Sequence, residues 1–244
     1  LKRGEVARKV TKVGLVGYSL GGTQVLDLAR LAEEKKLPFE LSGAVAFSPP
    51  VRLKSTAVIL DDFYTTDRWK YTMIDMGKVF LTHEPVPPGS RIPFEPAFMR
   101  AGIGYIVRQE FTEIVDKNDE IFRLGLLPDK DKDPTVNRRG EAQAWGFVRF
   151  IEWMSWPYWQ AKAKVSGVDE IWTAGDLVHI MKQLPPYARA VICEDDPFNA
   201  PADLAELRKA ADPKHLTILP HGGHVGYIGT AFTFAHLVHL FRFK

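Results

Sequence analysis

The sequence predicts an α/β fold: a mostly parallel sheet flanked by helices and interrupted by a large helical insertion. Three observations predict it. Short apolar, β-branched runs alternate with amphipathic helical stretches at both ends of the chain. Between about 51 and 165 that alternation stops, and aromatic-rich and proline-rich stretches replace it. A chain of 244 residues, 45% hydrophobic and 25% charged, has the make-up of a soluble globular protein and the length of one domain with an insertion. Strands separated by helices pair in parallel through right-handed crossovers, with both sheet faces covered.

The elements follow in order. Residues 1–10 are basic, with apolar residues at near-helical spacing, and read as the tail of a helix. Lys12–Val16 is a short buried strand ending at Gly17. From Thr23 to Lys35, Val25, Leu28, Ala29 and Ala32 share one helical face, and Pro38 closes the element. Leu41–Phe47 is a second buried strand, stopped by Pro49 and Pro50. Within the insertion, Trp69, Met73, Met76 and Phe80 form a helical stripe over 66–81. The proline tract 85–96 can be neither helix nor central strand. The stretch 97–123 reads as helix interrupted by Gly102 and Gly104, 128–140 as a charged, solvated loop, and 143–164 as an aromatic-rich helical stretch. Alternation resumes with a helix over 176–184, a strand over 189–193, a helix over 202–211, a strand over 215–219 and a final helix over 230–241. The expected organisation is core over 1–50, helical cap insertion over 51–165 and core again over 166–244.

Composition also excludes. A formal charge of +2, from 32 basic and 30 acidic residues, gives no electrostatic case for nucleic acid or an anionic membrane. One cysteine, Cys193, excludes an intrachain disulfide framework. No apolar run reaches the ~18 residues of a membrane span. No cysteine pair or second histidine cluster completes a metal site around His221 and His224. The chain starts at Leu1 rather than Met, so the natural N-terminus, and any targeting signal in it, is expected to lie upstream.

The strongest motif is Gly17-Tyr18-Ser19-Leu20-Gly21-Gly22, a G-x-S-x-G pattern between a strand and a helix. A serine at so sharp a turn sits in strained backbone with its Oγ presented above the sheet. Gly17 and Gly21 are expected to leave room for close strand–helix packing. The Leu20 amide, at the helix N-terminus, can donate to a developing oxyanion. A serine hydroxyl is a weak nucleophile and needs a base. His224 stands in a glycine-flanked loop after the last strand, with His221 as its nearest competitor. His236 and His239 lie in an apolar helix and read as ordinary helix positions. The imidazole needs an acid, and Asp195 and Asp196 both stand at the end of the third strand, where open α/β sheets place ligand groups. One of the two is expected to cap the coming turn instead.

At these residues the chain resembles the α/β-hydrolase family, over most of its length. Val16–Gly22 is similar to that family's nucleophile elbow, 194–198 to its acid turn and 222–227 to its histidine loop. The resemblance favours Asp196 over Asp195 and His224 over His221. It implies a Ser19–His224–Asp196 triad, Leu20 as an oxyanion donor and no cofactor. The acid turn and histidine loop are similar to those of lipid- or acyl-ester-active members. The family sheet has about eight strands, with the elbow after the fifth. Strands equivalent to the first four, and the loop carrying the second oxyanion donor, have no counterpart here. The strand before Ser19 would then be an exposed apolar edge. A missing N-terminal segment or a second chain is expected to complete the sheet, and this chain alone is expected to be poorly active.

The insertion is expected to select substrate. Trp145, Phe147, Phe150, Trp153, Trp156, Tyr158 and Trp159 crowd its last part. Phe147 and Phe150 share a helical face with Ile151 and Met154, and the aromatic stripe reads first as cap core. Trp156, Tyr158 and Trp159, expected past the helix end, read with Tyr18 as substrate contacts. The function implied is a serine hydrolase of a carboxylic ester with an apolar acyl or alcohol part, a small ester or lipid-like molecule. An acyltransferase with the same triad and a non-catalytic module of the same fold are the rivals. A nucleotide site is disfavoured, since 17–22 has neither a phosphate-loop lysine nor G-x-G-x-x-G.

Overall fold

In the computed structural model, residues 13–65, 96–129, 132–163 and 165–240 are described. The expected helical tail over 1–10, the stripe over 66–81 and the proline tract up to residue 95 lie outside them. The chain divides into two compact units, one formed by 1–56 with 169–244 and the other by 57–168.

The first unit holds a four-stranded, all-parallel sheet in the order β1 (Val13–Tyr18), β2 (Leu41–Phe47), β3 (Ala188–Cys193), β4 (Leu216–Leu219). Helix α1 (Leu20–Glu33) links β1 to β2. After β2 comes α2 (Leu53–Thr65), whose first turn belongs to this unit. Chain order within the unit then continues through α7 (Val168–Ala174), α8 (Leu177–Ile180), α9 (Pro201–Ala210) and α10 (Ala231–Leu240). Strand alternation sorts the core into two layers. Ala44, Ala46, Ala190 and Ile192 pack with Val25, Leu26 and Ala29 of α1, Leu177 and Ile180 of α8, and Leu204 and Leu207 of α9. On the other face Val45, Phe47, Val191 and Cys193 pack with Tyr227, Phe232 and Leu237. Small alanines under α1 let helix and sheet approach closely. Phe47 and Tyr227 supply the large side chains of the opposite layer.

β2 and β3 are buried, as their apolar runs predict, but β1 is not. It is the edge strand among the described residues, with Val16 and Tyr18 exposed, which corrects the buried strand read from its apolar run and is the apolar edge expected from the strand count. Burial of an apolar run depends on its place in the sheet, which the run does not encode. Arg52 ties the loop after β2 to the helices beyond it, with ion pairs to Asp176 at 2.7 Å and Glu206 at 2.5 Å. Burial pushes the Asp176 carboxyl up, in spite of the Arg52 charge.

The second unit contains the rest of α2, then α3 (Pro96–Phe122), α4 (Arg138–Gln143), α5 (Phe147–Phe150), a π-helical turn (Ile151–Ser155) and α6 (Trp156–Ala163). Three expectations change here. The helix α3 runs unbroken through Gly102 and Gly104. Gly104 is where α3 meets α2, since a Cβ there would lie 2.7 Å from the Phe63 and Tyr64 backbone. The glycine serves packing, which the sequence pattern cannot distinguish from a break. In the charged stretch, Arg138 is not solvated but pairs with Asp116 at 2.6 Å and buried Asp119 at 3.0 Å. Finally, 156–159 is helical. Pro157 lacks the N–H of a regular turn and its ring would meet the carbonyl four residues back, and the wider π turn just before it passes the proline.

Trp145 and Met154 are buried with Phe111, Val115, Leu127 and Ala142, and Phe147 and Phe150 pack on Phe111 at centroid distances of 4.2 and 4.9 Å. Asp61 organises this unit. Its carboxylate accepts from the Phe147 and Val148 amides at 2.9 and 3.3 Å and from the Arg108 guanidinium at 2.6 Å. Arg108, 3% exposed, also donates to the Trp145 carbonyl, and burial holds its pKa below the usual arginine range. Asp61→Ala is therefore expected to cost about 3–5 kcal/mol, by stranding a buried cation. Urea denaturation followed by tryptophan fluorescence checks this, and a loss under ~1 kcal/mol would contradict it.

Candidate active site

Every residue of the site stands at the C-terminal end of a strand in the first unit. β1 ends at Tyr18, and Ser19 follows with φ 52° and ψ −129°. That positive φ is costly for a residue with a Cβ. Two contacts enforce it. The Ser19 amide donates to the Phe47 carbonyl of β2 at 2.9 Å, and the Gly22 amide donates to the Ser19 carbonyl at 2.8 Å. A Cβ at Gly17 would overlap the Gly21 carbonyl, and one at Gly22 would press on Ala46 and Pro49 at 3.2–3.3 Å. Gly21 faces open space, so the expectation that it serves close packing is corrected in favour of Gly22. Ser19 caps α1 by position, but its side chain makes no capping bond. Its Oγ is directed elsewhere.

That direction is His224. Nε2 of His224 lies 3.0 Å from the Ser19 Oγ, and Nδ1 lies 2.9 Å from Asp196 Oδ2. A carboxylate only accepts, so Nδ1 carries the imidazole proton and Nε2 is left as the acceptor for the serine hydroxyl. The Asp196 side chain is fully buried and that of His224 is 18% exposed. Asp196 Oδ1 accepts from the Phe198 amide at 3.0 Å, and the Phe198 ring stands edge-on to the imidazole at 4.4 Å. Both carboxylate oxygens and both ring nitrogens are thus engaged.

The two choices left open by the residues are decided by position. Asp195 points away from His224 and accepts from the Gly223 and Gly222 amides at 2.8 and 3.3 Å. Burial pushes the Asp195 carboxyl up, but those two amide donors and His221 outweigh it, and its pKa falls below the ordinary aspartate range. Its hold on the loop is complete above that ordinary range and is lost as pH falls through the lowered pKa. His221 is 88% exposed and lies 3.7 Å from Asp195, outside the hydrogen-bonded chain. Asp195 anchors the histidine loop, a role the sequence could assign only to one of the pair.

Leu20 opens α1, so its amide is one of the helix's unsatisfied first-turn donors, next to Ser19. Tyr18 is 41% exposed and stacks on Phe47 at 5.5 Å. Trp156, Tyr158 and Trp159 stand on α6 of the second unit, the first half-buried and the other two exposed and edge-to-face at 5.3 Å. Cys193, buried beneath the loop, has its thiol pushed up to about 11 by burial and by the nearby Asp195 and Asp196, so it is no nucleophile at neutral pH. Among the described residues, no group of three or more histidine, cysteine, aspartate or glutamate side chains is placed to hold a metal ion. Among the same residues, no helix is long and apolar enough to cross a membrane.

Sequence reasoning missed Ser48, whose hydroxyl lies under the histidine loop. A lone serine before two prolines carries no signal for that. No curated protein matches the chain. The model of the alpha/beta hydrolase family matches residues 3–235, and the chain belongs to that family.

Proposed function

We propose that the protein is a serine hydrolase that cleaves a carboxylic ester with an apolar acyl or alcohol part through an acyl-enzyme. The observation that carries the reading is the unbroken chain from Ser19 Oγ through His224 to buried Asp196, with Ser19 held at a strained positive φ. Ser19 attacks the carbonyl carbon while His224 Nε2 takes its proton. Asp196 holds the ring and stabilises the imidazolium that forms. The Leu20 amide donates to the oxyanion, one of the interactions that strengthens only as charge develops there. His224 then returns the proton to the leaving alkoxide, and water repeats the sequence on the acyl-enzyme. Tyr18, beside the nucleophile and 41% exposed, is proposed as an apolar contact to substrate.

The test is covalent. A fluorophosphonate should phosphonylate the protein once, on the peptide carrying Ser19, and a short-chain nitrophenyl ester should compete with it. Labelling at another residue, or none in folded protein, would refute the proposal.

A further inference from the structure

The end of β2 holds the two halves of the site together. Phe47 offers its carbonyl to the Ser19 amide at 2.9 Å, fixing the nucleophile turn. The next residue, Ser48, offers its Oγ to the Val225 amide at 3.1 Å, fixing the residue after His224. Two successive residues therefore touch the nucleophile's own amide and the residue after the base. Ser48 is fully buried and has φ 48°. Val225 has φ 57°, a conformation that a β-branched residue rarely adopts and that needs an outside hold.

The hydroxyl protons around Ser48 can be placed. Tyr227 donates its one proton to the Val191 carbonyl at 3.0 Å. The Ser48 and Tyr227 oxygens are 3.1 Å apart, so the proton between them comes from Ser48. The chain runs from the Val225 amide to Ser48, from Ser48 to Tyr227, and from Tyr227 to Val191 of β3. Each hydroxyl both accepts and donates, which fixes the Ser48 rotor and aims a lone pair at Val225. Burial pushes the Tyr227 hydroxyl up to about 12, so it keeps its proton throughout the neutral range. Tyr227 is itself clamped by its ring against Phe47, at 5.9 Å.

We propose that Ser48 is a positioning residue of this hydrolase, whose hydroxyl holds the strained Val225 backbone and thereby keeps His224 in line with Ser19. The proposal rests on the serine-hydrolase reading above. It acts through His224, not on substrate, so it predicts a loss in the chemical step with substrate binding retained.

The experiment compares the full chain with Ser48→Ala, Ser48→Gly and Tyr227→Phe. Three quantities are read: the rate constant for fluorophosphonate labelling of Ser19, kcat and KM on a nitrophenyl ester, and Tm. Both Ser48 variants should label about ten- to a hundredfold more slowly, the range expected of a base displaced by a fraction of an ångström to an ångström. kcat should fall with labelling, and KM should stay within about twofold. Glycine relieves the positive φ but has no hydroxyl, so Ser48→Gly separates the two roles. Folded Ser48→Gly that labels at the wild-type rate overturns the proposal, as does folded Ser48→Ala doing so. Tyr227→Phe should lose less, and the Ser48→Ala/Tyr227→Phe double variant should label no more slowly than Ser48→Ala, since both cut one chain. If neither Ser48 variant folds, Tyr227→Phe decides, and its labelling at the wild-type rate overturns the proposal. Wild-type protein that does not label on Ser19 refutes the serine-hydrolase reading and this proposal with it. A labelled wild type with equally labelled Ser48 variants refutes only the positioning role.

Discussion

Ser19→Ala is expected to abolish phosphonylation and to lower ester turnover by about a millionfold, and His224→Ala to cost about as much. The reason is geometric. The Ser19 hydroxyl has one acceptor poised for its proton, Nε2 at 3.0 Å. Without the imidazole the hydroxyl must lose that proton to water, and without the hydroxyl nothing remains to be acylated. Because the two act as one unit, the double variant should be no worse than either single variant. Active-site labelling and steady-state rates on a nitrophenyl ester check both statements. Double-variant losses that multiply would show that Ser19 and His224 do not share a step. Stability should barely fall in Ser19→Ala, because the Ser19 side chain makes no helix-capping bond and the turn is held by backbone contacts.

Asp196→Asn should cost about ten-thousandfold in kcat while leaving the protein folded. The asparagine amide presents N–H groups as well as an oxygen. With Oδ1 committed to the Phe198 amide, the atom facing His224 Nδ1 at 2.9 Å becomes a donor. The imidazole then moves its proton to Nε2, and the serine hydroxyl faces a donor instead of an acceptor. Asp195→Asn is the control. It keeps one acceptor for the loop amides of Gly222 and Gly223 and leaves the imidazole tautomer alone, so its loss should stay under about tenfold, that of one weakened charge-assisted bond. Equal losses in the two variants would remove the distinction drawn between these adjacent acids.

Reading the chain from its residues reached the core because the core is local. Leu41–Phe47 and Arg189–Cys193 are short, mainly apolar runs that suit buried parallel strands, and they sit in the two central positions of the sheet. Helix α1 buries Val25 and Ala29 of its expected face, but Leu26 is buried where Leu28 and Ala32 are only partly so. For β1 the apolar run alone points inside while the strand count points to an edge, and the strand stands at the edge among the described residues, because apolar content does not specify a neighbour. The same reasoning broke α3 at its glycines, since a glycine required by a crossing helix and one that ends a helix look alike in sequence. It ended the aromatic helix before Trp156, where the chain instead takes a π turn and continues past Pro157.

For the site, the candidate serine, its sharp turn and the need for glycine at Gly17 are legible in the residues alone, because those requirements lie within six consecutive residues. The sequence also narrowed the base to the loop after the last strand and the acid to an adjacent pair. The tertiary structure alone decided that Asp196 faces the imidazole and Asp195 the loop amides, since side chains of successive residues at a strand end leave in different directions. It alone brought Ser48 under Val225, across 177 residues of chain. Contacts of that range depend on strand order and register, and those are settled only when the sheet has formed.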